Sequence, residues 1–306
     1  MEQAILHLKS EKRMHILHVQ SAALKAIHDY MYKKEVVQAM PIILSPETDP
    51  LNHPHFSATV EYYGQRLHMT KSMIMHKQLS LLNDGIDKIY FMSPNVRLEE
   101  GKLKETGRHL FEFTQVDIEL KNKTKKDFMR LIDGMIVAVY RFVIKECSDD
   151  LEALDRRLEV PKLPLAVHES EELRNRLGED FERISSEQSK DPFWIKNFRR
   201  EFYDKEDKER RGYYHNYDVM WPEGYGEALS GGEREWEHEE ILRKMNERKT
   251  DLKAFETYLR ISGKGIIPVT VGGGLGIERM VRFLTGQEHI RDVTLFPRVP
   301  GERIVF

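Results

Sequence analysis

Two periods of apolar residues run along the chain and predict its elements. Over residues 1–34, Ile5, Leu8, Ile16, Leu17, Ala23, Leu24, Ile27 and Met31 recur near helical spacing. "EVVQAMPIILSP" reads as a strand interrupted by Pro41, and residues 47–60 as a loop. "MTKSMIMHKQLSLLNDG" predicts a helix ending near Gly85, "DKIYFMSPNVRLEE" a strand, and "GKLKETGRH" a polar, basic loop. "FEFTQVDIEL" alternates with period two. "KKDFMRLIDGMIVAVYRFVIKEC" is a long amphipathic helix with Phe128, Leu131, Ile132, Met135, Val139, Phe142 and Val143 on one side. Residues 148–210 are so highly charged that they read as an insertion. "YYHNYDVMWP" and "GYGEALSGGER" predict strands, and "EWEHEEILRKMNERK" a helix. "GIIPVTV" then reads as a strand leading through glycines into the helix "IERMVRFLTG". The strands meet through loops without regular βαβ alternation, which favours an α+β fold with an antiparallel sheet.

Composition narrows the class. The 306 residues are 40% hydrophobic and 32% charged, with a formal net charge of −3. That describes a globular chain without a global basic field for nucleic acid. The lone cysteine, Cys147, excludes an internal disulfide and a multi-cysteine metal site. It ends an apolar helix and reads as a packing residue. The N-terminus lacks the apolar core of a signal peptide, and no apolar run approaches the ~18 residues of a membrane span. A cytoplasmic location follows as the expectation.

Three stretches point to chemistry. On "FEFTQVDIEL" one face carries Glu112, Thr114, Val116, Ile118 and Leu120, the other Phe111, Phe113, Gln115, Asp117 and Glu119. The second face can be a solvated surface or the floor of a site. Arg97, Glu99, Arg108 and His109 lie just before it; arginine's planar donors suit carboxylate or phosphate. "GGGLGIERM" carries Arg279 where a dinucleotide fingerprint would place its third glycine. A cation in a helix's first turn opposes the macrodipole unless an anion shares the site. "HPHF", with His53 and His55, reads as loop; the methionines near residue 73 and the three tryptophans read as structural.

The stretch "VRLEEGKLKETGRHLFEFTQVDIEL" resembles motif 2 of the class II aminoacyl-tRNA synthetases, in their aspartate/asparagine branch. "GGGLGIERMVRFLTGQEHIRDVTLFPR" resembles motif 3, and "AMPIILSPE" motif 1. "YDVMWPEGYGEALSGGER" is similar to the stretch between motifs 2 and 3. The resemblance runs from about residue 15 to the end. It implies one catalytic domain over 1–306, with a six-stranded antiparallel sheet flanked by helices, and a homodimer. It implies ATP and Mg2+. Arg97 would hold the reacting carboxylate and the α-phosphate, and Arg279 the γ-phosphate. Glu99 would face adenine, Arg108 or His109 the outer phosphates, and Phe113 would stack under the base. Gly276 would let the backbone approach the nucleotide. Asp218 and Glu227 would hold the metal. Glu47, Ser72, Gln115 and Asp117 would take the substrate ammonium; Lys77 and Arg234 would select a carboxylate over an amide. Ile74 departs from the glutamine of aspartate-charging enzymes.

Those enzymes carry an N-terminal oligonucleotide-binding barrel, and this chain begins almost at motif 1. The expectation is therefore an ATP-dependent asparagine synthetase of the archaeal type. Aspartate, ATP and ammonia would give asparagine, AMP and pyrophosphate through a β-aspartyl-adenylate, with tRNA not a partner. Free ammonia is expected because Cys147 offers no glutaminase nucleophile. Two other acceptors stay open: a carboxyl on a peptide or natural-product precursor becoming an amide or nitrile, and tRNA charged by a truncated synthetase paralogue. A non-catalytic paralogue would have no need of Arg97, Asp218, Glu227 and Arg279 together.

Overall fold

The computed structural model describes residues 1–51, 53–198 and 201–305. Asn52, in the segment read as loop, and Arg199 and Arg200, in the segment read as an insertion, lie outside the described residues.

Eight strands form the main sheet: β1 (Val37–Ala39), β2 (Lys88–Val96), β3 (Glu112–Lys121), β4 (Ala166–Glu169), β5 (Phe193–Lys196), β6 (Asn216–Trp221), β7 (Gly226–Glu233) and β8 (Thr270–Gly276). Their order is β1-β2-β3-β8-β7-β6-β5-β4. The six central strands pair antiparallel, whereas β1 joins β2, and β4 joins β5, in parallel. The expected six-stranded antiparallel sheet is thus the middle of an eight-stranded mixed one. The extra strand at the far edge, β4, and its neighbour β5 both come from the charged stretch 148–210. That stretch is woven into the sheet, and its charges sit on the flanking helices.

The helices are α1 (Glu2–Lys9), α2 (Glu11–Lys33), α3 (Ile74–Ser80), α4 (Lys125–Glu146), α5 (Ser148–Ala153), α6 (Ser170–Leu177), α7 (Phe181–Gln188), α8 (His238–Glu247), α9 (Glu256–Ser262) and α10 (Ile277–Leu284). The N-terminal helical run is split at Ser10, which takes an extended conformation. α4 starts at a capping box, with Thr124 and Asp127 each bonding the other's backbone amide. Its Phe128, Ile132, Met135 and Val139 pack with Ile16, Val19 and Ala23 of α2, Met280 and Val281 of α10, and Val116, Ile118 and Leu120 of β3. Cys147 is buried at the end of α4, where burial pushes its thiol pKa up. No described helix is long and apolar enough to cross a membrane. The other sheet face is covered only in part. There Ile74 and Met75 of α3, Ile241 and Met245 of α8, and Tyr258 of α9 form a second apolar cluster with Phe202. What they leave uncovered is a cleft.

The glycine-rich segment is itself strand, because β8 begins at Thr270 and takes in every glycine up to Gly276. The glycines allow close approach. A Cβ on Gly272 would lie 1.9 Å from Glu119 Oε2, and one on Gly231 of β7 would lie 2.2 Å from the Gly272 carbonyl oxygen. The second contact is with backbone, which cannot swing aside. Gly231→Ala is therefore expected to cost about 1–3 kcal/mol of stability or more, measured as a lowered urea midpoint at unchanged slope.

Candidate active site

Strand β3 builds the floor of the cleft. Its period-two alternation buries Val116, Ile118 and Leu120 in the helical core and turns Gln115, Asp117 and Glu119 the other way. Across from these three, β8 presents Gly276, Gly274 and Gly272 in register. The missing side chains leave room above the sheet.

A chain of buried charges fills the deep end. Lys77 of α3 is 2% exposed, and its Nζ lies 2.8 Å from Asp117 Oδ1 and 3.8 Å from Glu119 Oε2. It also donates to the Gly273 carbonyl at 3.2 Å. Arg234, just past β7, donates to both Glu119 oxygens, at 3.1 and 3.3 Å, and lies 3.6 Å from Asp204. Thr270 donates to Glu119 as well, and Ser93 to Asp117. Nearer the mouth, Ser72 donates to Asp49 at 2.8 Å, and the Tyr203 hydroxyl meets the same carboxylate. Ser72, Lys77, Gln115, Asp117, Asp218 and Arg234 line this one cleft, with Glu227 and Arg97 at its other end.

Arg97 and Glu227 also line an adjoining cavity, together with Glu99, Arg108, His109, Phe113, Gly276 and Arg279. The Arg97 guanidinium lies 5.1 Å over the Phe113 ring, and its Nε donates to the Lys71 carbonyl at 2.9 Å. Arg279 donates to Glu227 at 3.1 Å and to the Arg108 carbonyl at 3.3 Å. Burial and the neighbouring Arg279 lower the Arg108 pKa, and the same two causes push His109 down to about 4. His109 is thus a neutral ring beside three arginines at physiological pH. Beneath them Glu278 accepts the Thr114 amide with both oxygens, and burial raises its pKa to about 7. A cavity with three guanidiniums, one aromatic face and flanking carboxylates suits a nucleotide and its phosphates. Asp218, which lines the cleft, and Glu227, which lines both spaces, carry hard carboxylate oxygens, the kind of ligand Mg2+ takes when phosphates supply its other ligands.

One expectation is corrected. Glu47 is not among the residues lining the cleft: its carboxylate accepts the amides of Thr257 and Tyr258, the latter at 3.0 Å, and so caps the start of α9. Lys77 and Arg234, expected to select a carboxylate, lie in the cleft paired with Asp117, Glu119 and Asp204. Glu119 was visible in the sequence as the next residue on the Asp117 face but carried no assigned role. Asp49, Tyr203 and Asp204 gave no signal, because the last two lie in a stretch whose charge masks its structure.

The profile of the class II tRNA synthetases (D, K and N) matches residues 1–300. An aspartate–tRNA(Asp/Asn) ligase of Methanopyrus kandleri is 31% identical over 96% of this chain and 70% of its own length. An asparagine–tRNA ligase of Thermococcus gammatolerans is 26% identical over 97% of this chain and 71% of its own. Among solved structures, asparaginyl-tRNA synthetase of Pyrococcus horikoshii with asparaginyl-adenylate superposes with a TM-score of 0.88. That likeness covers 99% of this chain and 72% of that one at 24% identity, and it bears on the fold. The exclusion of tRNA drawn from the sequence is overturned: the relatives matching nearly the whole chain are ligases of tRNA, and their names say nothing of ammonia.

Two measurements check the electrostatics. Arg234→Met strands Glu119 and Asp204 in the interior, and should cost about 3–5 kcal/mol in denaturant unfolding, with part recovered by adding Glu119→Gln. Glu278 binds its proton more tightly folded than unfolded, where the pKa is near 4.5. Its contribution to stability is complete below that value and lost as pH rises toward about 7. Over that window the stability of Glu278→Gln should fall less steeply with pH than that of the wild type.

Proposed function

The chain belongs to the class II tRNA synthetases (D, K and N), a family of ATP-dependent, AMP-forming ligases, and from that premise we propose that it activates aspartate and transfers the aspartyl group to tRNA. The observation that carries the reading is the position of Arg97. Among the described arginines it alone lines both the nucleotide cavity and the cleft that ends at Lys77 and Arg234. A carboxylate held there sits beside the α-phosphate. The carboxylate oxygen attacks that phosphorus, pyrophosphate leaves, and an aspartyl-adenylate forms. Arg97 and Arg279 stabilise charge that builds on the phosphates, where fixed donors do most for a transition state. Mg2+ between Asp218 and Glu227 would supply further positive charge to the same oxygens.

Side-chain choice follows from the deep end. Lys77 and Arg234 present only N–H donors. An aspartate carboxylate can accept from them with both oxygens, whereas an amide would turn its own N–H groups toward donors and leave them unpaired. The substrate ammonium has Asp117, Gln115 and the Asp49–Ser72 pair within the same cleft. This arrangement puts the side-chain carboxylate at the deep end and the α-carboxylate at Arg97, the opposite of the asparagine-forming orientation expected from the sequence. With tRNA as acceptor, a ribose hydroxyl of the terminal nucleotide then attacks the carbonyl and AMP leaves.

Pyrophosphate exchange is the direct test. Exchange dependent on aspartate, and at least about tenfold weaker with asparagine, is expected, since rejecting a mispaired polar group is worth more than rejecting a methylene. Arg97→Ala should lower exchange by about 100-fold or more, the scale of losing one oxyanion donor. Equal exchange with both amino acids, or none with either, would sink the reading. Acylation of unfractionated tRNA by radiolabelled aspartate checks the acceptor.

A further inference from the structure

The "HPHF" stretch finds a place in the structure that the activation step does not use. His53 lines the amino-acid cleft beside Arg97 and Ser72. Its Nε2 lies 2.9 Å from Glu99 Oε1. Glu99 has a side chain only 7% exposed and lines the nucleotide cavity. The two residues therefore bridge the wall where the cavity and the cleft meet. Backbone pairing holds them there: the short strand His55–Phe56 pairs antiparallel with Leu98–Glu99, with His55 opposite Glu99. A second clamp fixes the loop. His55 Nδ1 lies 3.0 Å from the His53 carbonyl oxygen, which can only accept, so that nitrogen carries the proton. His55 Nε2 is then the acceptor for Lys71, 2.7 Å away.

The same logic sets the His53 tautomer. Glu99 is ionised: burial opposes its charge, but the hydrogen bond from His53 and the nearby Arg97 guanidinium help to outweigh it and hold its pKa below the usual value. An ionised carboxylate accepts, so His53 Nε2 carries a proton, and in the neutral imidazole the lone pair lies on Nδ1. Among the described residues Nδ1 has no hydrogen-bond partner. Several other polar groups of the cleft are already engaged or permanently charged. Arg97 stays protonated, Asp117 is bound to Lys77 and Ser93, Asp49 to Ser72 and Tyr203, and Glu227 to Arg279. His53 is also the one imidazole among the described residues that line the cleft.

We propose that His53, oriented by Glu99, is the catalytic base of the transfer step. The inference rests on the adenylation reading above. The acceptor's hydroxyl oxygen attacks the adenylate carbonyl carbon. The new bond to carbon forms, the bond from carbon to the phosphate oxygen breaks, and its electron pair leaves with AMP. The acceptor's proton passes to His53 Nδ1. The imidazolium so formed is paired with the Glu99 carboxylate until it returns the proton to solvent. Nothing is oxidised or reduced. Activation needs no such base, because its nucleophile is a carboxylate with no proton to lose.

That difference separates the two readings experimentally. Exchange of pyrophosphate with aspartate reports activation. Single-turnover decay of the preformed enzyme–adenylate complex with unfractionated tRNA reports transfer. His53→Ala should leave exchange within about threefold of wild type and slow transfer about 100-fold or more, the range ascribed to general bases. Free imidazole should restore part of the transfer rate in His53→Ala and do nothing for the wild type. His53→Gln, which keeps a donor for Glu99 but has no basic nitrogen, should show the same selective loss and guards against misfolding of the smaller variant. Transfer within threefold of wild type overturns the proposal. So does a parallel fall in both half-reactions, a loss that imidazole leaves unrestored, or a wild-type adenylate that tRNA does not consume. Wild-type exchange with no amino acid at all instead removes the adenylation reading itself.

Discussion

The salt-bridged chain from Lys77 through Asp117 and Glu119 to Arg234 and Asp204 constrains everything around it. Five charged groups share an interior in which four are at most 3% exposed and the fifth, Asp117, is equally covered at its side chain. Charges so placed persist only when each finds a partner of opposite sign and hydrogen bonds for its remaining atoms. The partners come from α3, β3, the residue just past β7 and the segment between β5 and β6. The cleft therefore cannot form until the sheet, α3 and the returning chain are all in place. The glycines of β8 belong to the same constraint. Glu119 reaches Arg234 across a strand that must carry no side chain at Gly272.

The price of that arrangement is an interior that tolerates little change, and its return is a rigid site. Lys77 and Arg234 have their direction fixed by carboxylates before any ligand arrives. A ligand carboxylate then meets donors that need no reorganisation, the condition under which polar groups discriminate most between an acid and its amide. Neutralisation also removes the cost of holding two bare cations in a dry cleft between substrates.

Legibility from sequence followed the range of the physics. Strand β3 was readable because alternation is local: six residues decide which face is core and which is floor. Arg97, Phe113 and Arg279 were readable as a set because their stretches sit in a fixed order, and the fold brings them to one cavity. The glycine run read only as a link between strand and helix, since local rules give glycine to turns, and only the neighbouring strands reveal that a Cβ would collide with Glu119. Strands β4 and β5 were hidden by the charge of the helices around them. Glu47 looked like a ligand-binding acid because its true partners, the amides that open α9, lie some two hundred positions along the chain. Asp204 was invisible because the charge of its stretch masks the structure there.

The two cavities differ in sign, and the difference orients a substrate. Around the nucleotide, Arg97, Arg108 and Arg279 face Glu99, Glu227 and Glu278; burial raises the Glu278 pKa to about 7, which weakens its negative charge, and His109 stays neutral. Around the amino acid, Asp49, Asp117, Glu119 and Asp204 outnumber Lys77 and Arg234. A zwitterion entering this space has its ammonium drawn toward the acidic cleft and one carboxylate toward the arginines. Fields of this kind act before contact and are strengthened where low-dielectric walls confine them. Arg97 stands where the two fields meet, so the carboxylate that arrives there is delivered beside the phosphate it must attack. Selection of the reacting group is in this way a property of charge distribution over both cavities rather than of any one contact.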